Sequence, residues 1–424
     1  MTSGQTRDIR SNSIWMMFEQ ICRLSVAMLL TAWMARSLGP HEMGRLSFSL
    51  SLCALLGIIT TMGLNRIMVR EFSVATDPNE ESRLLGTALA MRFAASAAIA
   101  ALAILLCLIL SPADWLIVAI LVPGFFFNAF DLVNLLYQSH LRSGTIVRCK
   151  LLAFAISSSI KAGLLAAGAG LHWLAFACLM DWVAAAIALA WLYYREHAPM
   201  ASLRPAWPLA LRLFKESRLE IVAGFSGLVF TRIDQVMLQV FHEPAQVALM
   251  AVSSRLTESW YFVPASLVAS TFPIIVRLKA TAPEMATMRL RSLYRQVAWL
   301  GIAAAVGVTW FADEIISILY GAQYLEASRI LVIQVWSGVF MSLGIASGSW
   351  LVAEGQVGKN MRRNMLGAAV NVSLNLWLIP TYGAIGAAWA TLAALASAYL
   401  LFDFIDPATR RMGLEKLRAM LYWK

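Results

Sequence analysis

Residues 84–110 read LLGTALAMRFAASAAIAALAILLCLIL, twenty-seven residues in which Arg92 is the one charge. About 20 predominantly apolar residues span the hydrocarbon core of a bilayer as one helix. In lipid every backbone polar group must find its partner inside the segment, so a run of this kind reads as a membrane helix. Similar runs recur along the chain. The sequence predicts spans near 13–34, 46–64, 84–110, 113–136, 147–169 and 171–193. A second set follows near 217–241, 246–275, 296–312, 327–353, 361–380 and 383–404. Pro264 and Pro273 mark the eighth segment as one that can break.

Composition agrees. Of the 424 residues, 60% are hydrophobic and 14% charged, with a mean hydropathy of +0.69. Soluble domains carry about 25% charged residues. Trp15, Trp33, Trp115, Trp173, Trp191, Trp310 and Trp350 lie near the ends of apolar runs, at the depth where amphipathic rings settle. The polar start, Met1 to Asn12, runs straight into an apolar stretch with no small-residue cleavage pattern, so the first span is expected to act as its own insertion signal.

A net charge of +10 raises the question of a nucleic-acid partner. The Lys and Arg residues instead form short clusters between apolar runs, which argues for no nucleic acid. With the N-terminus placed in the cytoplasm, only Arg36, Arg45 and Arg329 fall on the opposite side. That bias is the positive-inside pattern, and both termini are expected in the cytoplasm of a bacterial inner membrane. The expected architecture is all-α, with about twelve transmembrane helices in two six-helix lobes. Lobe 1–200 is followed by an interfacial linker, 201–216, and lobe 217–424 ends in a short cytoplasmic tail. Arg204, Arg212, Lys215 and Arg218 alternate with Trp207, Leu211 and Phe214, a pattern suited to a membrane surface. Leu414, Leu417, Met420, Leu421 and Trp423, set against Lys416 and Arg418, give the tail the same reading.

A charge at the bilayer centre costs roughly 2.5–3.5 kcal/mol on insertion scales, so such residues face a wet cavity, pair or snorkel. Those lying away from the ends of the expected spans are Glu19, Arg23, Arg92, Asp131, Lys161, Asp181, Arg232, Asp234, Arg255 and Glu258. Glu19 with Arg23 and Arg255 with Glu258 have the spacing of pairs on one helix face. Arg23, Arg92, Lys161, Arg232 and Arg255 are the candidates for a cationic cavity that accepts an anionic head group, because guanidinium and ammonium groups neutralise phosphate oxygens. Glu19, Asp131, Asp181, Asp234 and Glu258 are the candidates for coupling to H+ or Na+. Arg92, near the start of its span, is also placed to snorkel.

Enzyme signatures are missing. There is no glycine-rich phosphate loop and no zinc-type spacing, and no cofactor is expected. Cys22, Cys53, Cys107, Cys149 and Cys178 are scattered and mostly in apolar runs, as small buried hydrophobes are. His41, His140, His172, His197 and His242 fall near span ends or in loops.

Several stretches resemble the Wzx-type polysaccharide flippases, within the superfamily that includes multidrug and lipid II exporters. They are ARSLGPHEMG at 35–44, MGLN at 62–65, VRE at 69–71, RIDQVML at 232–238 and RLTESWYFVP at 255–264. LYG at 319–321, YLEAS at 324–328, Asn371, Asn375, IPTYG at 379–383 and GAA at 386–388 continue the series. They cover most of the chain in order. Ala248-Leu249-Met250 departs from the family's more usual Gly-x-Tyr. The resemblance implies two six-helix lobes, a cationic cavity and movement of undecaprenyl-diphosphate-linked oligosaccharide between leaflets for O-antigen or exopolysaccharide assembly. A polysaccharide polymerase and a chain-length regulator would be the partners. The alternatives are a multidrug cation exporter, which would favour an acidic aromatic cavity, and a membrane glycosyltransferase or polymerase, which would need a large extracytoplasmic loop.

Overall fold

In the computed structural model, the described residues are 3–75, 77–140, 143–196 and 205–421, with side chains from Arg23 onward apart from Pro78 and Ser143. Nine helices among them are long and apolar enough to cross a membrane. They become ten when Pro283–Trp310 and Ala312–Tyr320, bent by 73° at their junction, count as one crossing. Two helices are longer than one crossing needs. Ser3–Thr60 has 58 residues, which at ~1.5 Å each would run far past a core ~30 Å thick. It is interrupted at Gly39 (φ 74, ψ 169), just before Pro40. Val357–Ala396 is interrupted at Gly383 (φ 55, ψ −135), three residues after Pro380. Positive φ is strained for residues with a Cβ, so glycine is the residue that lets these chains break without cost to packing. Divided at the two glycines, the helices supply the twelve crossings expected from the sequence.

Other joints differ from expectation. The eighth crossing, Pro244–Thr281, breaks at Tyr261 and remains one span, with Pro273 inside the Phe262–Thr281 helix. The fourth is divided into Trp115–Leu121, Gly124–Asn128 and Asp131–Ser139. Residues 207–216, expected in the linker, continue without a break into Trp207–Phe241. Trp207 and Pro208 open that helix, where a missing proline N–H leaves no bond unmade. Residues 201–204 of the linker lie outside the described residues.

Lipid tails are as apolar as leucine, so helices in a bilayer associate through close packing and buried polar contacts. Ala384, Ala387, Ala388, Thr391 and Ala394 follow helical spacing and are buried. The Val357–Ala396 helix packs along Trp207–Phe241, while Phe262–Thr281 and Ser337–Ala353 pack on Pro283–Trp310. In the first half, Leu171–Glu196 packs on Ser143–Ala166 and on Trp115–Leu121.

The halves meet where Ser3–Thr60 packs on Pro244–Trp260 and Trp207–Phe241. At one end of the bundle they are sealed. Arg36 caps the last carbonyls of Ala312–Tyr320, donating to Leu319 at 3.0 Å and also to Ile318. Tyr324 Oη donates to the Ala35 carbonyl at 3.0 Å, and Gln323 Nε2 to that of Arg36 at 3.1 Å. Within the same end, Arg45 pairs with buried Asp114 at 2.6 Å. At the opposite end, Arg70–Glu216 (2.5 Å) and Arg212–Glu71 (2.6 Å) tie Asn65–Val74 to the start of Trp207–Phe241. Both arginines are more than half exposed, and exposed pairs contribute ~0–1 kcal/mol each.

Candidate functional site: a cationic cavity between the halves

A cavity of about 690 Å³ lies between the two halves. Its charged wall comes from six helices. Arg23 and Thr31 sit on the first. Asp131 opens the last piece of the broken fourth crossing. Lys150 and Lys161 share a face of Ser143–Ala166 with Ser157, Asp181 faces them from Leu171–Glu196, and Arg232 and Arg255 come from the second half. Phe127, Phe154 and Trp182 add apolar faces.

Five cations and two carboxylates therefore line the cavity. Lys150 pairs with Asp131 at 2.9 Å, and Lys161 pairs with Asp181. Arg232 pairs with Glu258 at 2.8 Å, both about a quarter exposed. Neither Arg23 nor Arg255 has a carboxylate partner among the described residues; Arg255 has a long contact, 3.4 Å, with Thr31 Oγ1. The cavity thus keeps a positive surplus centred on two arginines from different halves. Guanidinium groups offer forked donors that match phosphate oxygens, and such charge-assisted bonds are the strong ones.

Of the ten residues singled out from the sequence, Arg23, Lys161, Arg232, Arg255, Asp131 and Asp181 reach this cavity. Arg92 lies elsewhere. It is 2% exposed and donates to Asn65 Oδ1 at 2.6 Å, so it ties its helix to Asn65–Val74 instead of facing the cavity or snorkelling. Asp234 is also buried away from it, accepting from Asn375 Nδ2 and Thr391 Oγ1, each at 2.5 Å, while Asn375 bonds Asn371 Oδ1 at 3.1 Å. Glu258 pairs across helices with Arg232 and not with Arg255, three residues before it. The Glu19 side chain lies outside the described residues.

Sequence reasoning missed Lys150, which lies near the start of its expected span, 147–169. The signal was present: Lys150, Ser157, Ser158 and Lys161 recur on one helical face of an otherwise apolar stretch. A polar stripe along a membrane helix points to a cavity.

Residues 33–329 match the family of polysaccharide biosynthesis proteins. The chain belongs to that family. Two curated proteins of Haloferax volcanii are similar to it. One, named a probable low-salt glycan biosynthesis flippase, Agl15, is 25% identical over 195 residues, 46% of this chain and 41% of that protein. The other, named a probable flippase, AglR, is 24% identical over 201 residues, 46% of this chain and 42% of that protein. The match thus spans about two fifths of these relatives' length.

Among solved structures, the lipid II flippase MurJ in an inward closed conformation superposes with a TM-score of 0.74 at 13% identity, over 96% of this chain and 90% of that one. A multidrug resistance MATE family transporter of the MOP superfamily, in an inward-facing conformation, gives 0.72 at 13% identity, over 92% and 96%. At such identity the likeness is one of fold. This family member shares the two-lobed helical architecture of both.

Proposed function

We propose that this protein is a flippase that moves undecaprenyl-diphosphate-linked oligosaccharide from the cytoplasmic to the periplasmic leaflet for O-antigen or exopolysaccharide assembly. The observation that carries the reading is the cavity between the halves, with Arg23 and Arg255 without carboxylate partners among the described residues. A diphosphate brings about two negative charges, and moving one charge through the membrane involves ~2.3 kcal/mol per 100 mV. Arg23 and Arg255 neutralise the head group while the lipid chain stays in the bilayer. A carrier of cationic drugs would place the surplus the other way.

In this reading both termini are cytoplasmic, in a bacterial inner membrane, and the Arg36 end faces the periplasm. The lobes, 1–200 and 217–424, rock about the cavity, so that parting of the Arg36 seal accompanies release outside. Polysaccharide polymerase and the chain-length regulator act on the delivered lipid. Among the coupling candidates, Asp131, Asp181 and Glu258 are already held by cations. Asp234, which accepts from Asn375 Nδ2 and Thr391 Oγ1, is the candidate among the described residues that no cation holds, and it takes H+ or Na+. Asp234→Asn keeps the size of the side chain and removes its charge. It is expected to leave binding of the lipid-linked glycan intact and to remove the dependence of transport on an imposed Na+ or pH gradient, measured in proteoliposomes.

The direct test uses the same proteoliposomes. Wild-type protein is expected to move undecaprenyl-diphosphate-linked oligosaccharide to the opposite leaflet, read as its exposure to a glycan-modifying enzyme added outside. No exposure with several glycans, together with uptake of cationic dyes, would move the protein to the exporter reading.

A further inference from the structure

Arg363 stands apart from the cavity charges. It is 2% exposed, and its Nη1 and Nη2 donate to Ser347 Oγ at 2.8 Å and to the Gly344 carbonyl at 2.9 Å. The guanidinium lies 4.9 Å from the centroid of the Tyr399 ring. Among the described residues no carboxylate pairs with it, since buried Asp403 is taken by Lys416 at 2.6 Å. Its Nε has no acceptor, and the Oδ1 atoms of Asn360 and Asn364 are also buried without partners. All three side chains line a second cavity, of about 480 Å³. Phe272, Met341 and Ile345 form its apolar wall. Arg66, from the first half, also lines it, and no carboxylate does. Arg66 is 70% exposed and held only loosely by Glu220, at 3.5 Å.

A buried cation with no counter-ion costs several kcal/mol, and a buried N–H without an acceptor adds to that. A cavity that keeps both, with two unmet amides and an apolar wall, has the chemistry of an anion site that also meets hydroxyls and hydrocarbon. Asn360 and Arg363 lie in the first two turns of the helix that begins at Val357. That is the level at which lipid head groups lie against a membrane helix. We propose that this second cavity binds the phosphate of an anionic lipid. Arg363 Nε and Arg66 take the phosphate oxygens, Asn360 and Asn364 take head-group hydroxyls, and the lipid chain lies along Phe272, Met341 and Ile345. The site stands on this geometry and does not rest on the transport reading.

The test is native mass spectrometry of the full chain released from phosphatidylethanolamine vesicles that contain either phosphatidylglycerol or undecaprenyl phosphate. Wild type is expected to retain phosphate lipid. Arg363→Met and Asn364→Leu are each expected to lower the retained fraction by about tenfold, as loss of one charge-assisted or buried hydrogen bond gives. Retention of both lipids assigns the site to bulk anionic lipid, and retention of undecaprenyl phosphate alone assigns it to the carrier. Displacement by inorganic phosphate shows that the phosphate is the recognised group. The proposal is overturned if wild type retains neither lipid, or if both variants unfold at the wild-type temperature and retain lipid as wild type does. Should Arg363→Met fail to fold, Asn364→Leu decides alone.

Discussion

Replacing Gly44 with leucine is expected to part the halves at their sealed end and to reduce transport to background, with the protein still inserted. A Cβ at Gly44 would lie 1.7 Å from the carbonyl oxygen of Pro244 and 2.4 Å from its carbonyl carbon. The obstacle is backbone, so no rotamer change relieves it, and the start of the Pro244–Trp260 helix has to move away. Small residues serve this purpose wherever membrane helices approach closely. The bonds of Arg36, Gln323 and Tyr324 across the same end would loosen with it. Overpacking costs ~1–3 kcal/mol, enough to shift a closed–open equilibrium by roughly tenfold or more. The measurement is labelling of Ser47→Cys, which lines the cavity, by an impermeant thiol reagent added outside cells. In a background without the native cysteines, labelling is expected to rise about tenfold with Gly44→Leu. Unchanged labelling with transport retained would show that this contact does not hold the seal.

Lys416→Ala is expected to be the most destabilising single change in the tail. Lys416 and Asp403 are both 0% exposed, 2.6 Å apart, and Lys416 also donates to the Tyr399 carbonyl at 2.8 Å. Removing the ammonium leaves a buried carboxylate whose Oδ1 already has no partner. Breaking such a pair costs ~3–5 kcal/mol, whereas replacing both members with apolar residues is often close to neutral. The single variant should therefore unfold at a clearly lower temperature in detergent, and Lys416→Met with Asp403→Leu should recover most of the loss. A single variant that melts with wild type would mean that this pair does not hold the tail.

That tail shows what the sequence could and could not tell. Its amphipathic spacing reads as a membrane-surface helix, and Leu414, Leu417 and Leu421 are indeed exposed. The opposite face, Gly413, Lys416 and Ala419, packs inward, and Glu415 pairs with Arg291 at 2.6 Å. Trp423 lies outside the described residues. Counting basic residues by side treats every Lys or Arg near a span end as solvated. Lys150 and Arg363 escaped notice for that reason and Lys416 was read as a surface charge, although each is an interior or cavity residue.

The number of crossings was legible because hydrocarbon thickness sets helix length, and the breaks at Gly39 and Gly383 fall within quoted motifs. Which charges meet was not. Spacing along one helix pairs Arg255 with Glu258, yet Glu258 meets Arg232 from the neighbouring helix, and Arg255 has no carboxylate partner among the described residues. Asp234 and Asp181 look alike in sequence, each a lone carboxylate in an apolar run. Only the packing of Asn371, Asn375 and Thr391 around the first separates them. Contacts between helices distant in sequence decide such matters, and local periodicity carries no trace of them.

On the proposed mechanism Arg23 and Arg255, without carboxylate partners among the described residues, carry the anionic head group. The measurement that tests it most directly is restoration of surface glycan in a strain lacking its polysaccharide flippase, with Arg23→Ala, Arg255→Ala and Arg255→Lys compared with wild type at equal expression. Rescue by wild type, abolished by both alanine variants and partly restored by the lysine, is the predicted result. Full rescue by both alanine variants would contradict it.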